Sequence, residues 1–182
     1  MDETAGLGAR IQSFDERLTS PLTIPRERRG ALAAALALAH SGDSYLWGAL
    51  MVAAWFLGGH DWKVRALAGA IGLVLVEVVV IALKMVIRRQ RPAGDSGRIY
   101  RKADPFSFPS GHAARAALLC ILGWTLGPVA AAVAITAWSP VMVISRVAVG
   151  IHYVLDVAAG VLLGAGLTVL LLVVLPLVAQ RI

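Results

Sequence analysis

Apolar residues in this chain gather into six blocks separated by short polar breaks. Residues 30–40 are an Ala/Leu run ending at Ser41-Gly42-Asp43. That run is short for a full crossing and predicts a first helix that is either short or lies in the membrane interface. Residues 45–59 carry Trp47 and Trp55 near their ends, where aromatic belts form, and close on Gly58-Gly59-His60-Asp61. Residues 64–87 are long enough to cross the hydrocarbon region, which takes about 20 residues. Blocks 112–126 and 129–148 are parted only by Gly127-Pro128, which predicts antiparallel neighbours. The last block, 153–178, holds Gly160, Gly164 and Gly166, small residues that let membrane helices approach closely. The pattern predicts an all-α polytopic membrane bundle of about six helices, with one membrane domain over 25–182 behind a polar segment over 1–24.

Composition changes the picture in three ways. With 58% hydrophobic and 15% charged residues and a mean hydropathy of +0.75 over 182 residues, a bilayer is the expected solvent. The net charge of +6 is spread over segments that flank apolar blocks, which favours anionic lipid or phosphate over nucleic acid as partner. The single cysteine, Cys120, lies inside an apolar block and excludes a disulfide framework or cysteine metal cluster. The N-terminus lacks the basic-then-apolar order of a cleavable signal, so the spanning helices are expected to direct insertion.

Candidate chemistry sits in three polar patches. Lys84 and Arg91-Pro92 are seven residues apart, and a helix continuing through Arg88 would project both cations from one face to grip a phosphoryl group. Pro109-Ser110-Gly111-His112 precedes an apolar helix. Ser110 can serve as N-cap while free backbone N–H groups face an anion. Ser145-Arg146 is followed by His152 and Asp156, a four-residue step that lets a carboxylate hold one imidazole nitrogen and leave the other free. Residues 88–111, rich in Arg, Pro, Gly and Ser, read as an ordered functional loop.

Together the patches resemble the signature motifs of the type-2 phosphatidic-acid-phosphatase (PAP2) family, which share a core with acid phosphatases and vanadium haloperoxidases. The family pattern Lys-x6-Arg-Pro, Pro-Ser-Gly-His and Ser-Arg-x5-His-x3-Asp is matched at every position between Lys84 and Asp156. The resemblance implies a membrane phosphatase for a lipid phosphate or polyprenyl pyrophosphate. It gives His152 the role of nucleophile through a phosphohistidine, Asp156 that of orienting it, and His112 that of general acid and base. Lys84, Arg91, Ser110, Gly111 and Arg146 would hold the phosphoryl oxygens, with no metal or other cofactor. A non-catalytic anionic-lipid-binding or transport protein is the alternative, and haloperoxidase chemistry a more distant one.

Two charges lie outside the motifs. Glu77 is mid-block and is expected to pair with a basic partner inside the bundle, and Arg115 lies one turn into the fourth block. Phe106 and Phe108, flanking the second motif, are expected to pack within the loop. Counting six spans puts Arg26, Arg28, Arg29, Lys63 and Arg65 opposite the motifs, which predicts an extracytoplasmic site in a bacterial cell membrane. Oligomeric state is left open by the sequence.

Overall fold

The computed structural model describes residues 3–93 and 104–179. The middle of the 88–111 loop lies outside the described residues. Those residues form seven α-helices: α1 (Glu3–Thr19), α2 (Arg29–His40), α3 (Ser44–Leu57), α4 (His60–Ile87), α5 (Gly111–Leu126), α6 (Val129–Ala148) and α7 (Val154–Ala179), with a 3-10 turn at Ser20–Leu22. The six apolar blocks become α2 to α7, and α1 is a helix in what reads from sequence as a polar segment. The only β pairing among the described residues is an isolated bridge between Gln90 and Phe106.

Helices α4, α6 and α7 are long and apolar enough to cross a membrane, while α3 and α5 are apolar but shorter. All are apolar around much of their circumference, with Val74, Val78, Ile144 and Leu162 exposed where lipid would lie. The core is instead built of small residues. Ala113, Ala114 and Ala116 of α5 are buried, and Leu118 and Leu122 pack against Leu73, Val76 and Val80 of α4.

Close approach of α5 and α7 depends on two of the three glycines in the last block. A Cβ at Gly164 would stand 2.1 Å from the Ala114 carbonyl oxygen, and one at Gly160 would stand 2.4 Å from that of Ser110, whereas Gly166 faces open space. Gly164→Ala must push the two backbones apart and is expected to lose at least about 1–3 kcal/mol. The check is a lowered Tm in detergent beside an unchanged Gly166→Ala control.

Helices α3 to α7 run alternately down and up, so Lys84 near the end of α4, the start of α5, the end of α6 and the start of α7 share one face of the bundle. Helices α1 and α2 belong to that same face. Ile24 N–H donates to the Ala148 carbonyl (2.8 Å), and Val154 N–H donates to Thr19 Oγ1 (3.1 Å). Helix α2 packs Ala35 and Ala39 against Val149 and Ile151 at the motif face. Helices α3 to α7 therefore form an up-and-down bundle in which α4, α6 and α7 are the candidate spans. Arg26, Arg28 and Arg29 lie on the same face as the motifs, across from Lys63 and Arg65.

Candidate active site

The first motif is assembled by a turn instead of a continuous helix. Helix α4 stops at Ile87, and Arg88 takes a left-handed conformation (φ 52°) as its C-cap. Arg88 is exposed and donates from Nε to the Met85 carbonyl (2.9 Å), so it does not join the motif as helical spacing predicts. Lys84 and Arg91 still converge. The Lys84 ammonium pairs with Asp104, and Arg91 Nη2 donates to the same carboxylate oxygen at 2.8 Å. Arg91 Nη1 donates to the Ile151 carbonyl (3.0 Å) and lies 3.4 Å from His152 Nε2.

The second motif begins α5. Ser110 is fully buried; its hydroxyl accepts the Ala113 N–H at 3.5 Å and its own N–H donates to the Asp156 carbonyl at 2.9 Å. It acts as the cap and fastens α5 to α7, with Gly111 and His112 in front of it. His112 is held from both sides: Arg115 Nη2 lies 3.0 Å from Nδ1, and Asp43 Oδ1 lies 2.8 Å from Nε2. An arginine only donates, so Nδ1 accepts and the proton resides on Nε2, facing Asp43.

The third motif spans the α6–α7 turn, where Gly150 adopts φ +71°, a conformation that favours glycine. Arg146 is 2% exposed at the end of α6 and donates from Nη1 to the Ala39 carbonyl at 3.4 Å. His152 precedes α7 and does not sit on its face, as the four-residue step suggests. Its Nδ1 lies 3.5 Å from Asp156 Oδ2, at the edge of hydrogen-bond reach. Asp156 is fixed by Arg89 Nη1 (2.7 Å) and the Tyr153 N–H (2.9 Å). Burial, reinforced by the charges of Arg146, Arg91 and Lys84, holds the His152 imidazole well below its ordinary range and therefore neutral.

Lys84, Arg91, Gly111, His112, Arg146 and His152 line one cavity of about 590 Å³, with Asp43 and Asp104 on its wall. A second, almost wholly apolar groove of about 650 Å³ runs between α3 and α4 and shares Ser44 and Glu77 with the first. Among the described residues no three His, Cys, Asp or Glu side chains cluster to hold a metal.

Residues 63–178 match the PAP2 superfamily. The chain belongs to that superfamily. Among relatives, it is 35% identical to the decaprenylphosphoryl-5-phosphoribose phosphatase of Mycobacterium tuberculosis, over 76% of this chain and 77% of the relative. It is 34% identical to the enzyme of the same name from Mycolicibacterium smegmatis, over 73% of each. The fold is that of the transmembrane PAP2-type phosphatidylglycerolphosphate phosphatase from Bacillus subtilis, with a TM-score of 0.72, 24% identity, and coverage of 89% of this chain and 84% of the other. Aquifex aeolicus LpxE superposes with a TM-score of 0.66 at 21% identity, over 86% and 91%. This PAP2 protein is accordingly a membrane phosphatase.

Four residues around the PAP2 motifs escape sequence reasoning. Asp43 reaches His112 from the α2–α3 loop, which Trp47 and Trp138 pin through hydrogen bonds to the Ser41 carbonyl (3.2 Å) and hydroxyl (2.8 Å). Half-buried Trp47 thus packs against Trp138, with centroids 5.2 Å apart and the rings tilted by 51°. Burial raises the Asp43 carboxyl, but hydrogen bonds from His112 and His40 outweigh it and bring it down to about 2. Asp104 bridges the two cations of the first motif. Arg89 and Asp15 back Asp156 from behind, joined by a 2.8 Å ion pair. A lone acid in a Ser-Gly-Asp turn gives little local signal. Arg89, within the Arg88-Arg89-Gln90-Arg91 run, was visible but indistinguishable from its neighbours. Glu77, in contrast, pairs with Arg115 at 2.7 Å, as its mid-membrane position demands.

Proposed function

We propose that this phosphatase removes a phosphate monoester from a polyprenyl-linked lipid, through a phosphohistidine on His152 and without a metal. The observation that carries the proposal is the convergence of two imidazoles and three buried cations on one cavity that continues into an apolar groove. In this reading His152 Nε2, with its lone pair beside Arg91, attacks phosphorus while Asp156 retains the proton on Nδ1. The P–O bond to the leaving group breaks, and His112, protonated on both nitrogens when the anionic substrate is bound, gives its Nε2 proton to the departing oxygen and is left neutral. Neutral His112 then takes a proton from water, whose oxygen attacks phosphorus and releases His152. Lys84, Arg91, Arg146 and the N–H groups at the start of α5 bind the phosphoryl oxygens, where charge is greatest. Ser110 contributes through the cap that aims those amides.

The polyprenyl preference draws on the two mycobacterial relatives, named for a decaprenylphosphoryl substrate. The test is turnover in mixed micelles of polyprenyl-phosphoribose phosphate, polyprenyl pyrophosphate, phosphatidylglycerol phosphate and phosphatidic acid, with and without EDTA. Fastest release from the first, unaffected by EDTA, is expected. Preference for a glycerolipid overturns the substrate assignment, and loss with EDTA overturns metal independence.

We also infer that the site faces the cytoplasm. Arg10, Arg17, Arg26, Arg28, Arg29 and Arg88 accompany the motif face, against Lys63 and Arg65 opposite, and cytoplasmic segments carry the excess of Lys and Arg. An impermeant maleimide applied outside intact cells is expected to label Asp61→Cys and spare Ser20→Cys, both in a Cys120→Ser background. The reverse result restores an extracytoplasmic site.

A further inference from the structure

Helix α1 carries a pattern the motifs do not use. Leu7, Ile11, Phe14 and Leu18 recur at helical spacing, and all four are exposed, Phe14 by 56%. Arg10 and Arg17 border this stripe on one side, roughly a fifth of a turn from its centre. Gln12, Asp15 and Thr19 lie on the other side and make hydrogen-bonded docking contacts. Asp15 Oδ1 accepts the Leu155 N–H (3.1 Å) and Thr19 Oγ1 the Val154 N–H, so α1 satisfies first-turn amides of α7 that otherwise have no partner. Asp15 Oδ2 pairs with Arg89 Nη2 at 2.8 Å, Gln12 Oε1 accepts from the same nitrogen at 3.0 Å, and Arg89 Nη1 reaches Asp156.

We propose that α1 lies on the bilayer surface and positions Asp156 through Asp15 and Arg89, so that the nucleophile is aligned by a helix seated on the membrane. The occupant of the apolar stripe is the headgroup–acyl boundary of the same bilayer. Helix α1 is docked at the start of α7 and on Arg89, just past the end of α4, where that boundary must run, and the two arginines at the edge of its stripe match anionic headgroups. Asp15 and Arg89 are positioning residues, since Asp156 stands between them and the imidazole.

The location is tested independently of activity. In nanodiscs containing anionic lipid, a nitroxide on Phe14→Cys in a Cys120→Ser background should be more accessible to oxygen than to a water-soluble nickel chelate, with the opposite ratio for Ser13→Cys. Equal nickel access at both positions overturns the membrane seat, whatever the substrate proves to be. The positioning role rests on the reading of His152 as nucleophile and is tested by kinetics. Asp15→Asn should lower kcat about tenfold with KM within about twofold, and should add nothing in an Arg89→Met background. An unchanged kcat, or additive losses, overturns it. Should Asp15→Asn fail to fold, Gln12→Ala, which removes the amide's contacts to Arg89 and leaves the Asp15–Arg89 pair in place, is expected to lower kcat about two- to fivefold, and an unchanged value decides against the proposal.

Discussion

His152→Ala is expected to lower kcat for lipid-phosphate hydrolysis by at least about 10⁴-fold, because in the proposed mechanism the attacking atom itself is lost. The substitution leaves the cation cluster intact, so KM should change little, and a vanadate or phosphate competitor should still bind. Phosphate release measured in detergent, with trapping of acid-labile, base-stable label on the protein, checks both halves. An active His152→Ala enzyme, or wild-type label resistant to acid, would sink the phosphohistidine. The pH dependence follows from the environment of the ring. Because burial and the neighbouring cations lower its pKa, His152 stays unprotonated and nucleophilic as pH falls below about 6.5, the ordinary histidine value. Any loss of rate near pH 6.5 belongs to another group.

His112→Ala should give the second-largest loss, about 10²- to 10⁴-fold, with a signature of its own. A general acid matters most when the leaving oxygen is a poor leaving group. The deficit should therefore shrink markedly with an aryl phosphate such as p-nitrophenyl phosphate, whereas that of His152→Ala should not. Equal deficits with both substrates would remove the acid role. Asp43→Asn is expected to reproduce a weaker form of the His112→Ala pattern, because its carboxylate, ionised at any working pH, is the partner of the Nε2 proton.

Much of this was legible in the residues. Block lengths and the Gly127-Pro128 turn set the apolar helices to within a few residues, because a bilayer tolerates backbone only when its hydrogen bonds are closed locally. The motif residues were readable because each needs a particular side chain at fixed spacing. What spacing could not convey was where a helix stops. Arg88 ends α4 in a left-handed cap, so Arg91 arrives by a turn, and His152 stands before α7, not on it. Helix α1 was hidden for a different reason. Its apolar stripe is narrow and diluted by Gly, Arg and Glu, so mean polarity concealed its periodicity. Contacts such as Asp43 with His112, 69 residues apart, arise from tertiary packing and leave no mark on either local segment.

The backbone contact of Gly160 and Gly164 with Ser110 and Ala114 divides the molecule mechanically. Both imidazoles hang from a locked pair, in which neither helix can slide without steric collision. The lipid-facing wall formed by α3 and α4 has no such lock, since Met51 is the side chain that meets Gly69 across it, and a thioether yields easily. Substitutions along that wall can therefore reshape the apolar groove without shifting the two helices that carry the imidazoles.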